Sequence, residues 1–495
     1  MRLLLICLLL PLSLAFLSCD EDDGGGPSLD TTDPTITIVQ PADGATLAAG
    51  NILIRATATD DDEVDRVEFY VDGTKIGEDD DDALTVYEYT WNASAAAAGS
   101  HSIRARAVDA SDNDASDTVA VTISGGAGPT YHSDNITTDE IWYKADNPHI
   151  VTQDIAVWEG GSLTIKPGCI VKFDEDAGIG CGWTTEGEIV AVGKADTTIL
   201  FTSNETSPAP GDWEGFGFFE GTTSSTRFSY CTVEYAGAVD GQAIYVAWGG
   251  VLRMDHSTIR HGAGRGIYYE HAGHVEQFHD NTITDCGSFP LALDPEYVRH
   301  LGTGNDYTGN DEGYDAIEIY YGGVETNSTW LDQGVPYRIT ENSNVWVGTM
   351  EAPIILTIEA GTTIEFESNA EMTIGNVVLA GLIAEGTSTE PITFTSAAES
   401  PAPGDWNQVW IAADAVDAQC RLSYCVFEYG GGGGGGGGGS LWISSAVPDV
   451  EDCSFGYSSA YGIYVEGDAY PAPATLESEN TFYGNASGEV GEAAP

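Results

Sequence analysis

Six of the nine histidines in this 495-residue chain, with four of its arginines, fall between Arg253 and His300. They are Arg253, His256, Arg260, His261, Arg265, His271, His274, His279, Arg299 and His300, interleaved with Asp255, Glu270, Asp280, Asp285 and Asp294. Histidine can move a proton near neutrality, arginine can hold a carboxylate, and paired acids can hydrolyse a glycosidic bond. Abstracting a proton beside a sugar carboxylate needs a base and a cation. Arg260 and His261, with Asp280 and Asp285 further along, are the candidate catalytic residues. Trp248, Tyr268 and Tyr269 are candidate carbohydrate-binding platforms. A plainer account of Arg260 competes: in the repeat described next it falls opposite Glu234, where a cross-strand ion pair needs no chemistry.

What must position these residues is a block that occurs twice. "LTIKPGCIVKF" (163–173) is matched by "LTIEAGTTIEF" (356–366), "FTSNETSPAPGDW" (201–213) by "FTSAAESPAPGDW" (394–406), and "FSYCTVEY" (228–235) by "LSYCVFEY" (422–429). The offset is 193 for the first two pairs and 194 for the third. A shorter period runs inside each copy. Cys231, Ser257, Asn281 and Asn305 recur at spacings of 26, 24 and 24, and Cys425, Cys453 and Asn480 at 28 and 27. Each unit is a short strand framed by turn residues, with no long helical pattern between them. Such strands can bury themselves only by winding into a solenoid, each turn stacked about 4.8 Å above the last. Val233, Ile259, Ile283 and Tyr307 then form one internal column, and Phe427, Phe455 and Phe482 an aromatic one. Cys, Ser and Asn in the flanking column suit an inward ladder at a turn. The aligned coil of the second copy, Asp452–Glu466, has no His or Arg, so the basic segment belongs to the first copy alone.

"SLTIKPGCIVKF", "PITFTS", "PGDWEGF" and the "NTI" rungs with "GRGIYY" (264–269) or "AYGIYV" (460–465) resemble the right-handed parallel β-helix, or pectate-lyase-like, superfamily. The resemblance implies an all-β right-handed solenoid over 131–495, in two homologous halves at about 137–310 and 325–490. Enzymes of this fold usually work from an exposed face with acidic, Arg and His groups. The catalytic motifs of polygalacturonases and pectate lyases are not matched here. Ten consecutive glycines, Gly430–Gly439, read as a loop between two coil strands, and no Lys-Ser/Thr follows to make a phosphate loop.

Residues 34–124 alternate in short strands, with Trp91 available as a core aromatic, and predict a β-sandwich. "VDRVEFYVDGTKIG" (64–77) and "TWNASAAAAGSHSIRARAVDASDN" (90–113) resemble a bacterial immunoglobulin-like domain. Its acidic loops, with Asp60, Asp61, Asp62, Asp80 and Asp81, are candidate Ca2+ ligands, and a solvated loop is the alternative. Ahead of it, residues 1–19 carry one Arg and a short apolar run, as a secretory signal does. Ser18-Cys19 resembles a bacterial lipobox, which implies lipidation at Cys19. Residues 20–33 are an acidic tether and 125–130 a linker.

Acidic residues number 78 against 17 basic ones, a formal net charge of −61. A chain so charged repels phosphate backbones and anionic membranes, which excludes nucleic acid as a partner and leaves the N-terminal lipid as the membrane contact. Seven cysteines remain after Cys7 and Cys19, and the stacked pair Cys425 and Cys453 is a possible disulfide in an exported protein. Buried thiols are the alternative. The expected protein is a monomer, exported to the outer membrane or cell surface as a lipoprotein, or secreted. Three functions fit: a β-helix binding polysaccharide or a cell-surface partner, a polysaccharide lyase or glycoside hydrolase centred on 253–300, or a structural surface solenoid.

Overall fold

The computed structural model describes residues 30–61, 63–80, 85–93, 96, 99–124, 129–239, 241–270, 272–433 and 438–493. The signal segment with Cys19, most of the tether, Asp62, Asp81, His271 and the centre of the glycine run lie outside the described residues. Among those described, no helix is long and apolar enough to cross a membrane. The chain divides into two compact units.

The first unit pairs a three-stranded antiparallel sheet (Thr35–Gln40, Asn51–Thr59, Val86–Asn92) with a five-stranded one (Ala45–Ala48, Asp114–Ser124, Gly99–Asp109, Val64–Val71, Thr74–Asp79). Alternate residues point inward, so Ile54, Ala56, Val67, Phe69, Trp91, Ile103, Ala105 and Val121 fill the space between the sheets. Trp91 is indeed buried there.

The second unit is a three-faced parallel solenoid. In its first half the chain passes repeatedly through a six-stranded sheet (from Glu140–Trp142 to His274–His279), a seven-stranded sheet (from Thr130–His132 to Thr282–Thr284) and a thirteen-stranded sheet beginning at Ile155–Val157. The thirteen-stranded sheet continues to Thr481–Tyr483, through both halves. The other two faces restart in the second half, as a seven-stranded sheet from Gly322–Val324 and a five-stranded sheet from Ser328–Trp330. Strand pairing follows the expected columns. Val233 pairs with Ile259 and Ile259 with Ile283, all fully buried, with Tyr307 buried in the next coil. Phe394, Phe427, Phe455 and Phe482 stack at 4.5, 4.9 and 5.5 Å between ring centroids.

The duplicated block does not sit on the same face twice. Ile170–Phe173 belongs to the first-half seven-stranded sheet, whereas its counterpart Thr363–Phe366 belongs to the thirteen-stranded one. Gly178–Cys181 is in the thirteen-stranded sheet, and its counterpart Glu371–Ile374 is in the second-half seven-stranded sheet. The second copy is therefore turned by one face of the solenoid.

Each rung is framed by corners with left-handed backbone. Tyr230, His256 and Asp280 have φ of 51°, 49° and 55° before the rung; Tyr235, His261 and Asp285 have 65°, 55° and 51° after it. The next coil uses Gly304 and Gly309 at the same places, residues that adopt this conformation without steric cost. Past the first corner, each backbone N–H meets a small polar side chain of the next coil. The N–H of Cys231 donates to Ser257 Oγ (3.0 Å), that of Ser257 to Asn281 Oδ1 (3.0 Å), and that of Asn281 to Asn305 Oδ1 (3.1 Å). In the second copy Cys425 N–H donates to Cys453 Sγ (3.4 Å) and Cys453 N–H to Asn480 Oδ1 (2.9 Å).

This corrects the possible Cys425–Cys453 disulfide. Both are buried free thiols, as are the five other cysteines from Cys169 onward. The ladder uses the Cys453 sulfur as an acceptor, while the Cys425 thiol donates to the carbonyl of Ala384 (3.1 Å) and the Cys453 thiol to that of Glu451 (3.3 Å).

The shared "PGDW" corner is built alike in both copies. Trp213 and Trp406 each donate an indole N–H to a rung carbonyl, Glu234 O and Glu428 O, at 2.8 Å. They lie flat on Phe173 (3.9 Å) and Phe366 (4.3 Å).

Asn281 is fully buried and also donates to Met254 O at 3.0 Å. Asn281→Ala is expected to cost about 2–3 kcal/mol in chemical denaturation, the penalty for stranding a buried amide donor and carbonyl. Asn281→Ser, the residue type one coil below, should cost less.

Candidate functional site

A cleft of about 500 Å³ lies on the first-half part of the thirteen-stranded sheet. Its floor follows from strand alternation. Along this sheet the outward positions pair in register as Ala156, Gly180, Gly217, Tyr245 and Tyr268. The inward partners, Ile155, Ile179, Phe216, Ile244 and Ile267, fill the core. Two glycines in succession leave the sheet bare of side chains. The ring of Phe219 lies over that gap: a Cβ on Gly217 would come within 2.8 Å of it. Trp183 and Trp248, about half exposed at 50% and 48%, close around Phe219 at 4.4 and 5.6 Å. They meet each other edge to face at 5.8 Å. Tyr245 extends the aromatic surface and stacks on Tyr268 at 5.8 Å.

At the opposite end of the cleft stand Asp154 and Glu214, both packed around Gly178. Partial burial first, then the charge of Asp154 and a hydrogen bond with it, push the Glu214 carboxyl up to about 7. Glu214 thus keeps its proton well above the usual carboxylate range.

The residues singled out from sequence are distributed differently than expected. Trp248 lines the cleft and Tyr268 flanks it. Tyr269 does neither: it is fully buried, because neighbours in a strand face opposite sides and Tyr268 takes the outer one. Arg260 lies on the seven-stranded face and donates through Nε (2.8 Å) and Nη2 (2.6 Å) to Glu234 Oε2, the cross-strand pair. His261 stacks on Tyr235 at 5.0 Å, with Nδ1 3.9 Å from Asp285. Asp280 sits at the other end of the rung, beside His279 (2.8 Å) and His256 (3.8 Å). The four catalytic candidates are therefore two separate corners and one occupied arginine. Other arginines of the segment are likewise paired with glutamates: Arg253 with Glu276 and Arg265 with Glu318, each at 2.6 Å. In the immunoglobulin-like unit, Asp60 clusters with Asp30 and Asp109, its ligand atoms within 4.8 Å, and Asp61 and Asp80 are not part of that group.

Asp154, Trp183, Glu214, Phe219 and Tyr245 were not legible as a site, since they come from four different coils, with only Glu214 and Phe219 flanking the same strand. The available signal was "GIG" (178–180) followed 37 residues later by "GFG" (215–217), glycines alternating with apolar residues where a strand surface is approached closely. The sequence-equivalent column of the second copy is filled instead. Outward Trp346, Thr373, Trp410, Trp442 and Tyr464 pair in register, and Trp410 and Trp442 stack at 5.4 Å.

Residues 34–105 match the bacterial Ig domain family and residues 322–433 the pectate-lyase like beta helix domain family. No curated protein matches the chain. Among solved structures, the Clostridium thermocellum CbhA fibronectin(III)-like modules are 33% identical over 19% of this chain, which spans 47% of that structure, with a TM-score of 0.16. The catalytic domain of a GH87 alpha-1,3-glucanase, solved with tetrasaccharides, aligns over 93% of this chain and 96% of its own at 10% identity and a TM-score of 0.23. At such scores the fold assignment rests on strand pairing and on the two family models. The chain joins a bacterial immunoglobulin-like domain to a parallel β-helix of the pectate-lyase-like kind.

Proposed function

We propose that this is an exported, surface-anchored β-helix protein that binds neutral polysaccharide in the cleft formed by Trp183, Phe219, Tyr245 and Trp248. The observation that carries this reading is the pair of half-exposed indoles standing over a glycine floor. Aromatic faces that stay partly wet are the usual stacking partners for the apolar faces of sugar rings, and a concave apolar wall with a few polar groups is the general form of a ligand site. A net charge of −61 disfavours uronate or sulfated chains, whose own charge would be repelled. The aromatic column of the second copy supports the same reading on another face. The N-terminal segment, with Cys19, supplies the anchor and the immunoglobulin-like unit a spacer.

Binding without turnover is favoured. The lyase alternative at 253–300 loses support because Arg260 is committed to Glu234.

Trp248→Ala and Trp183→Ala are each expected to weaken retention on insoluble neutral glucans or mannans by roughly tenfold or more, about 1.4 kcal/mol per site. Affinity electrophoresis of the full chain against neutral and uronate polysaccharides measures this. Equal retention of both variants, or release of reducing or unsaturated ends, would overturn the binding reading.

A second expectation concerns pH. The carboxyl of Glu214 is raised from 4.5 to about 7 in the fold, so the folded state holds more protons than the unfolded state between those values. Stability therefore falls as pH rises through that window. Glu214→Gln should remove the decline, adding on the order of 1 kcal/mol at pH 8 after allowing for solvent screening, and nothing at pH 4. Thermal unfolding across pH 4–8 reads this directly.

A further inference from the structure

The corner between the six-stranded and first-half seven-stranded sheets holds a constellation unrelated to the cleft. Asp255 pairs with His279 across adjacent strands, which places His256 one coil below Asp280. The ligand atoms of His256, His279 and Asp280 lie within 4.8 Å of one another. His256 Nε2 is 3.8 Å from Asp280 Oδ2, too far for a hydrogen bond, and His279 Nδ1 is 2.8 Å from the same oxygen. Those separations bracket the roughly 3.3 Å between ligands about 2.0–2.1 Å from a tetrahedral Zn2+.

The supporting groups fit the same geometry. His256 Nδ1 is 3.1 Å from Asp255 Oδ1, and Ser229 Oγ donates to that oxygen at 2.6 Å. An N–H at Nδ1 held by Asp255 leaves the Nε2 lone pair facing Asp280. This is the carboxylate–histidine arrangement that orients imidazoles toward metals. Tyr230 stacks on the His256 ring at 4.6 Å and fixes its plane. Gly304 continues the corner in the next coil, where a Cβ would meet Asp280 Oδ1 at 2.2 Å, so the carboxylate lies against bare backbone.

We propose that His256, His279 and Asp280 bind one divalent transition-metal ion of the Zn2+ class, with Asp255 as the positioning residue for His256. Two imidazoles and a carboxylate select such an ion over Ca2+ or Mg2+, which require oxygen ligands. With ligands from two coils, the ion clamps adjacent turns of the solenoid and keeps a fourth position for water or an outside ligand.

The test uses the full chain without a polyhistidine tag, titrated with ZnCl2 against a chromogenic chelator in excess Mg2+ and Ca2+. One Zn2+ per chain is expected, with a rise in thermal midpoint. His256→Ala/His279→Ala should abolish both. Asp255→Asn should weaken binding by roughly 10–100-fold, as loss of a supporting carboxylate does. Cobalt(II) substituted at the site should give visible d–d absorption that His279→Ala removes, a readout independent of folding stability. Absence of saturable binding, or binding undiminished in the double variant as expected of a diffuse acidic surface, would overturn the proposal.

Discussion

A parallel solenoid has to turn a corner about three times per coil, and at the corner before these rungs a backbone N–H of one coil is met by a side chain of the next instead of by a strand carbonyl. The rest of this β-helix depends on how that donor is answered. In both halves a left-handed residue makes the turn, and a small acceptor from the next coil receives the N–H that follows. Oxygen of Ser, oxygen of Asn and sulfur of Cys serve interchangeably in that role, which explains why the column tolerates three residue types but no large one. The same constraint decides which residues reach the surface at the corners. The left-handed conformation tolerates His and Asp better than most side chains, and His256, His261, Asp280 and Asp285 all adopt it.

That origin changes the meaning of the basic segment. Composition suggested one reactive face. The structure divides it into arginines that neutralise outward glutamates and histidines that stack on tyrosines at the corners. In a chain so rich in acid, a column of glutamates facing the same way repels itself unless a cation is interposed every few coils.

Much of the fold was legible because stacking forces periodicity into the sequence. The columns of Val233 and Phe427, the Cys–Ser–Asn ladder and the pairing of Arg260 with Glu234 all follow from aligning coils. Three things were not. The rotation of the second copy depends on which strand each block pairs with, and spacing alone carries no such information. The burial of Tyr269 depends on which of two adjacent tyrosines faces out, a choice that the "IYY" pattern leaves open. The cleft depends on side chains from several turns meeting over glycines, and the absence of a side chain is a weak signal in a chain with 61 glycines.

The turned second copy has a consequence for what duplication achieved. Had the two blocks stacked in phase, their surfaces would have merged into a single strip twice as long, suited to following one extended molecule. With the phase advanced by one face, equivalent columns look out in different directions. The glycine-floored cleft lies on one side and the tryptophan ladder on another. Duplication here multiplied the directions of contact instead of lengthening one of them, the geometry of a cross-linker more than that of a track.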